Sequence, residues 1–138
     1  MSTFAIRPAT DADYGALSQY EHHIEPSTLR KCISDGYMLI AESDGTCIGW
    51  LRWNRFWDIV PFMNHLFVLE EYRGKGCGRL LTEYWEREMQ AAGCDVVITS
   101  SAQDECAQHF YVKLGYSAIG GFMLKDDPLE ILFQKWFQ

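Results

Sequence analysis

No stretch of the chain approaches the roughly 18 consecutive apolar residues that a membrane-spanning helix needs, and neither end carries a secretory leader or a lipidation signal. A soluble cytoplasmic protein with no membrane partner is expected. Cysteine is present but lacks pattern. Cys32, Cys47, Cys77, Cys94 and Cys106 are odd in number, widely spread, and form no Cys-x-x-Cys pair or alternation with histidine, which argues for reduced core thiols over a disulfide framework or a zinc motif. Positive charge is scarce, 12 Lys and Arg against 19 Asp and Glu for a net charge of -7, which argues against a nucleic-acid surface and favours a cationic partner such as an amine. Repeats, low-complexity tracts and linkers are absent as well. What remains is 138 residues with 48% hydrophobic content, enough for one compact domain over 1–138 and too little for a second.

The chain is organised around Phe62 to Gly78, Phe-Met-Asn-His-Leu-Phe-Val-Leu-Glu-Glu-Tyr-Arg-Gly-Lys-Gly-Cys-Gly, which continues into an amphipathic segment from Arg79 to Ala92. This reads as strand, glycine loop, helix. Glycines let the backbone turn tightly beside a ligand, and the first amides of a helix lack partners within it. With the helix dipole and the charges of Arg73, Lys75 and Arg79, the loop is a phosphate cradle. The ATP-type string Gly-x-x-x-x-Gly-Lys-Ser/Thr does not occur, and the dinucleotide fingerprint fails because Arg79 stands where its third glycine belongs. Arg73-Gly74-Lys75-Gly76-Cys77-Gly78 resembles instead the Arg/Gln-x-x-Gly-x-Gly/Ala loop of the GCN5-related N-acetyltransferases, which holds the pyrophosphate of acetyl-CoA.

Towards the N-terminus, Ala5, Ile6 and Arg7 suggest an opening strand. Thr10 caps a helix over 11–21 with Tyr14, Leu17 and Tyr20 or Glu21 along it, and Pro26 starts another carrying Leu29, Cys32 and Ile33 before Gly36. His22 and His23 have no carboxylate or cysteine at ligand spacing, so no metal is expected. Tyr37 to Glu42 and Cys47 to Trp53 flank the turn Ser43-Asp44-Gly45-Thr46 and predict an antiparallel hairpin. Trp50, Trp53, Phe56 and Trp57 alternate with polar residues there. The pattern reads either as a core strand followed by a loop that Trp57 packs down, or as an aromatic wall for an acceptor.

After the central unit, Leu80, Leu81, Tyr84, Trp85, Met89 and Ala92 recur at helical spacing up to Gly93. Cys94 to Thr99 reads as a strand covered on both faces. Cys106, Ala107, Phe110, Tyr111 and Leu114 form the stripe of a further helix ending at Gly115, with Ser101 and Asp104 as candidate caps. Strands near 116–123 and 129–137 complete a sheet. Within that last helix, Ala107-Gln108-His109-Phe110-Tyr111-Val112-Lys113-Leu114-Gly115-Tyr116 resembles the same family's second motif, Ala-x-x-Leu/Phe-Tyr-x-x-x-Gly-Phe/Tyr. The two motifs agree in order and spacing, and the resemblance covers nearly the whole chain. It implies a mixed α/β fold: a twisted, mostly antiparallel sheet of about six to seven strands with a splayed fourth and fifth pair, flanked by about four helices.

The resemblance further implies that the backbone of Leu66, Phe67 and Val68 pairs with the pantetheine arm like an added strand. Gly74, Lys75, Gly76, Cys77 and Gly78, with Arg73 and Arg79, hold the pyrophosphate. Tyr111 protonates the departing thiolate, and an amine attacks the acetyl carbonyl directly while the Val68 amide steadies the oxyanion. Acetyl-CoA is thus the expected co-substrate and the protein an acyltransferase. The family often carries Glu or His on the central-strand face that here holds Phe62, Asn64 and Leu66; His65 points to the opposite face unless a bulge re-aims it. Asp58, Glu42, His22 or a water chain are the other candidate bases. The expected acceptor is a small or amino-acid-like primary amine, with a peptide or protein amine, or a non-catalytic acetyl-CoA sensor, as alternatives. Exposed tryptophans are compatible with a homodimer.

Overall fold

The computed structural model describes residues 3–137, so the outermost positions of the expected 1–138 domain lie outside the described residues. In chain order the elements are β1 (Ala5–Pro8), α1 (Tyr14–Ser18), α2 (Pro26–Ser34), β2 (Met38–Ser43), β3 (Thr46–Phe56), β4 (Val60–Val68), α3 (Cys77–Ala91), β5 (Val96–Ala102), α4 (Ala107–Lys113), β6 (Ser117–Phe122) and β7 (Glu130–Trp136), with short 3-10 turns at Asp11–Asp13 and Glu70–Tyr72. The strands hydrogen-bond in the order β1-β2-β3-β4-β5-β7-β6. Only β4 and β5 run parallel among the registered pairs, over Phe62↔Ile98 and Met63↔Thr99. No described helix is long and apolar enough to cross a membrane.

The chain divides into two compact units, the first from the N-terminus to Trp53 with His65–Trp85, the second Asn54–Asn64 with Glu86 to the C-terminal end. In the first, Leu17, Leu29, Ile33, Met38, Ile40 and Trp50 form one buried cluster. Burying side chains of this size stabilises by about 1.5–3 kcal/mol each. The β2–β3 hairpin turns as expected, with Asp44 and Gly45 both at positive φ, 52° and 77°. The expected helix over 11–21 is shorter. Its first turn is 3-10, and α1 ends at Ser18, where the Ser18 hydroxyl donates to the Gly15 carbonyl. Glycine and a back-bonded serine both weaken a helix. Asp13 closes a capping box with the Thr10 amide at 2.7 Å and takes two 2.8 Å bonds from Arg7. That guanidinium first, then the Thr10 amide, outweigh burial and hold the Asp13 carboxyl below its usual range.

In the second unit Val97, Thr99 and Ser101 of β5 are buried while Val96, Ile98 and Ser100 are only half-buried. The strand expected to be covered on both faces is therefore fully covered on one. Val96 and Ile98 line a groove of about 320 Å³ with Phe56, Trp57, Ile119, Leu132 and Trp136. The loop that Trp57 was expected to pack down is a tight turn: the Ile59 amide donates to the Phe56 carbonyl at 3.1 Å, and Trp57 stands 77% exposed. Strand β3 extends to Phe56 because the turn starts there.

Candidate active site

The glycine loop has the geometry the sequence calls for. Gly74 and Gly76 adopt φ of 75° and 86°, values open to glycine and strained for other residues. The Leu80 amide donates to the Gly76 carbonyl at 3.0 Å, closing the first turn of the 15-residue α3. The amides at the head of α3 have no partner within the helix and carry its positive dipole end. Arg73, Lys75 and Arg79 are exposed around them. Each also has a neighbour: Arg73 Nε donates to the Val68 carbonyl at 2.7 Å, and Arg79 pairs with Glu83 at 3.0 Å. The Lys75 ammonium lies 5.6 Å from the Tyr72 ring centroid. Cys77 differs from the rest of the loop. Its side chain is 1% exposed, and burial pushes its thiol up to about 11, so it packs inward and offers the loop only its amide. All five cysteines are free, as expected; Cys77 is buried and Cys47 packs half-buried against the core of the first unit, whereas Cys106 is exposed and is not a core thiol.

Leu66, Phe67 and Val68 are half-buried at the end of β4. Phe67 stacks on Trp50 with centroids 4.9 Å apart, and Gly49 lets β3 come close. A Cβ at Gly49 would stand 2.9 Å from the Phe67 carbonyl oxygen. Two residues before Phe67, His65 turns its Nδ1 to Glu21 and hydrogen-bonds it. Glu21 also accepts from Trp50 Nε1 at 2.7 Å and from Arg52 Nε at 2.9 Å. Its side chain is 1% exposed and that of His65 28%. Burial alone would raise the Glu21 carboxyl. The hydrogen bond and charge of His65, the Trp50 bond and the Arg52 charge outweigh it and draw the carboxyl down to about 2. The sequence signalled Glu21 only as a carboxylate on the apolar stripe of the first helix, four residues after Leu17.

Tyr111 sits in the second unit on α4, 6% exposed. Burial raises its phenol above the usual value and a hydrogen bond with Thr99 offsets part of this, so the phenol is protonated at neutral pH. Thr99 in turn donates to the Met63 carbonyl at 2.9 Å, at the end of the β4–β5 ladder. Ser101 and Asp104 do not cap α4. Ser101 belongs to β5 and Cys106 occupies the cap position without a side-chain bond, because the strand runs on to Ala102. Among the other candidate bases, Glu42 is paired with Arg7, His22 is exposed, and Asp58 lies in the turn at positive φ. No group of three or more metal-ligating side chains occurs among the described residues.

The model of the acetyltransferase (GNAT) family matches residues 5–116. The chain belongs to that family. Membership makes it an acyltransferase, and the seven-stranded sheet with its parallel β4–β5 pair and four helices is the GNAT architecture. None of the curated proteins matches significantly. Among solved structures, a GNAT-family acetyltransferase from Bacillus cereus is 18% identical with a TM-score of 0.81, covering 99% of both chains. The ribosomal-protein-S18-alanine N-acetyltransferase from Escherichia coli is 16% identical with a TM-score of 0.81, covering 99% of this chain and 95% of that one. The putative acetyltransferase yncA from Salmonella typhimurium, solved with acetyl-CoA, is 18% identical with a TM-score of 0.80, over 99% and 95%. At these identities they speak for the fold.

Proposed function

We propose that this GNAT protein moves the acetyl group of acetyl-CoA to the primary amine of a small or amino-acid-like molecule by direct attack, acting as a single domain in the cytoplasm. The observation that carries the reading is the loop at Gly74 and Gly76, in left-handed conformation at the head of α3 and ringed by Arg73, Lys75 and Arg79. Amides 74–79 hold the diphosphate, and the backbone of Leu66, Phe67 and Val68 takes the pantetheine arm. When the arm docks, the Arg73 side chain leaves the Val68 carbonyl it now occupies. The neutral amine forms a C–N bond with the acetyl carbon, the Val68 amide supports the oxyanion, and the C–S bond breaks. The thiolate takes its proton from Tyr111, which burial keeps protonated.

An amine acceptor suits the net charge of -7. It also suits a groove of about 300 Å³ in the second unit, where Phe62, Phe122 and Leu124 stand beside Asp127 and Glu130: apolar walls for a substrate body, carboxylates for an ammonium. The test is thiol release from acetyl-CoA with a panel of amines, with products read by mass spectrometry. Amine-dependent release that falls about 100-fold in Tyr111→Phe is expected. Stabilisation by CoA without turnover on any amine would make the protein a sensor, and acetylation of peptides alone would move the acceptor to that class.

A further inference from the structure

Arg73, Lys75 and Arg79, the cations of the glycine loop, each rest on a neighbour, and only one of those neighbours belongs to the strand that takes the pantetheine arm. Arg79 pairs with Glu83 at 3.0 Å along α3, and the Lys75 ammonium stands 5.6 Å from the Tyr72 ring centroid. Arg73 reaches back to β4. Its Nε donates to the Val68 carbonyl at 2.7 Å, and its Cζ lies 5.2 Å from the centroid of the Phe67 ring. The registered β4–β5 pairing covers Phe62↔Ile98 and Met63↔Thr99, so Val68 stands beyond it, and its carbonyl accepts from a side chain. In a strand the amide and carbonyl of one residue point to the same side. The guanidinium on the Val68 carbonyl therefore also stands beside the amide assigned to the oxyanion.

We propose that Arg73 sets the choice of acyl donor, admitting CoA thioesters and disfavouring pantetheine thioesters that lack the diphosphate. This rests on the acetyltransferase reading, in which Leu66, Phe67 and Val68 receive the arm and the loop receives the diphosphate. An arm without a diphosphate displaces the guanidinium from Val68 and leaves it only water as a partner. CoA brings a replacement. Arg73 directly precedes Gly74, so rotation about its side-chain bonds carries the guanidinium from the strand to the loop. The exchange is favourable, because a guanidinium bonds a phosphate with full charge on both sides and in two places, whereas the carbonyl is a single neutral acceptor. A solvent-exposed bond from a charged donor is worth roughly tenfold in an equilibrium. The strand is then open in about a tenth of the molecules, and the apparent affinity for the arm falls in the same proportion until a first ligand removes the bond. Lys75 and Arg79 attract the diphosphate as well. Their resting partners, Tyr72 and Glu83, lie outside β4, so their release opens nothing.

The deciding experiment supplies the two halves of the donor separately: pantetheine is titrated into the protein without inorganic pyrophosphate and then at a saturating level of it, with binding followed by nitrogen–proton NMR shifts. Wild type should bind pantetheine about tenfold more tightly when pyrophosphate is present, and the Arg73 Nε–H signal should move on adding pyrophosphate alone. Arg73→Ala should bind pantetheine about tenfold more tightly than wild type without pyrophosphate and gain less than about twofold from it, so that its preference for CoA over pantetheine falls by at least about tenfold. Lys75→Ala should need more pyrophosphate for saturation and then show the same coupling as wild type. Coupling under about threefold in wild type, weaker pantetheine binding in Arg73→Ala, or loss of coupling in Lys75→Ala overturns the proposal and leaves CoA binding and acetyl transfer standing. A wild-type chain that binds neither CoA nor pantetheine refutes the acetyltransferase reading itself, and the proposal with it.

Discussion

Among the described residues each unit buries one glutamate, 5% exposed at Glu21 and 6% at Glu86, and surrounds it with donors, yet the two clusters differ in the chemistry of those donors. Around Glu86 the Tyr116 hydroxyl donates at 2.8 Å and Lys135 Nζ at 2.9 Å. Burial, then the Glu86 charge and hydrogen bond, drive the Tyr116 phenol far above its usual range. The Tyr116 phenol stays protonated near neutrality, and the two bonds tie α3 to β7 and the start of β6. Around Glu21 one donor is an imidazole. The two clusters therefore differ in the chemistry of their donors: indole, guanidinium and imidazole around Glu21, phenol and ammonium around Glu86.

The contrast is tested most strongly by acid. Glu21 falls from the ordinary 4.5 to about 2 on folding. A depressed carboxylate contributes stability above its unfolded pKa and loses it as pH drops through the folded one, so its contribution is complete above about pH 4.5 and gone near pH 2. The shift is worth about 3 kcal/mol. Glu21→Gln, which resembles the protonated acid in shape and charge, should lie below wild type by about that much at pH 7 and converge with it as pH approaches 2. Urea midpoints across pH measure this. Curves that stay parallel would mean that Glu21 is not the ionised hub of its cluster. Asp13, also depressed by Arg7, adds acid sensitivity of the same sign to both proteins.

Activity sharpens the comparison further. At a temperature where both variants are folded, Glu21→Gln should lower kcat/KM about 10-fold, because the carboxylate holds Trp50, whose ring stacks on Phe67 of the strand that takes the pantetheine arm. Glu86→Gln should stay within about threefold, while its melting temperature falls because a buried hydroxyl and an ammonium lose an ionic partner. Steady-state kinetics with a single amine acceptor separates the two. Equal losses would erase the distinction between a structural and a functional carboxylate.

These two clusters also show what was legible in the sequence and what was not. The loop from Arg73 to Gly78 could be read because its chemistry is local: left-handed positions demand glycine, and a helix head follows at once. The place of Tyr111 on α4 could be read for a similar reason, from a stripe and a stop within ten residues. The β2–β3 turn was equally plain from Asp44 and Gly45. The Glu21 cluster joins residues 29, 31 and 44 positions apart. Strand alternation gives the face on which a side chain stands and says nothing of which distant carboxylate meets it. Helix α1 was overextended because apolar spacing persists beyond Ser18, while Gly15 and the Ser18 back-bond end it early. The loop expected after Phe56 could not be read as a tight turn because Trp57 is not a residue that ordinarily occupies a left-handed position and Asp58 is not followed by glycine.

That turn extends the contrast between the units from side chains to backbone. Among the described residues the first unit fills its positive-φ positions with glycine except at Asp44, before Gly45, whereas the second places Trp57, Asp58 and Lys125, at φ of 56°, 61° and 53°, alongside Gly93, Gly115 and Gly120. A left-handed conformation costs a non-glycine residue roughly 1–2 kcal/mol. Trp57, with its ring 77% exposed, recovers little of this through burial. Among the described residues its close ring contact is Phe56, 4.7 Å away centroid to centroid. Replacing the pair by the residues such a turn prefers, Trp57→Asn with Asp58→Gly, should raise stability by about 1 kcal/mol, seen as a higher urea midpoint at unchanged slope. The amine-dependent rate should not move, because the change leaves the loop, Tyr111 and the Glu21–His65 pair in place. If stability drops instead, the Phe56–Trp57 contact outweighs the backbone strain, and the tip of this hairpin is held by its aromatic rings.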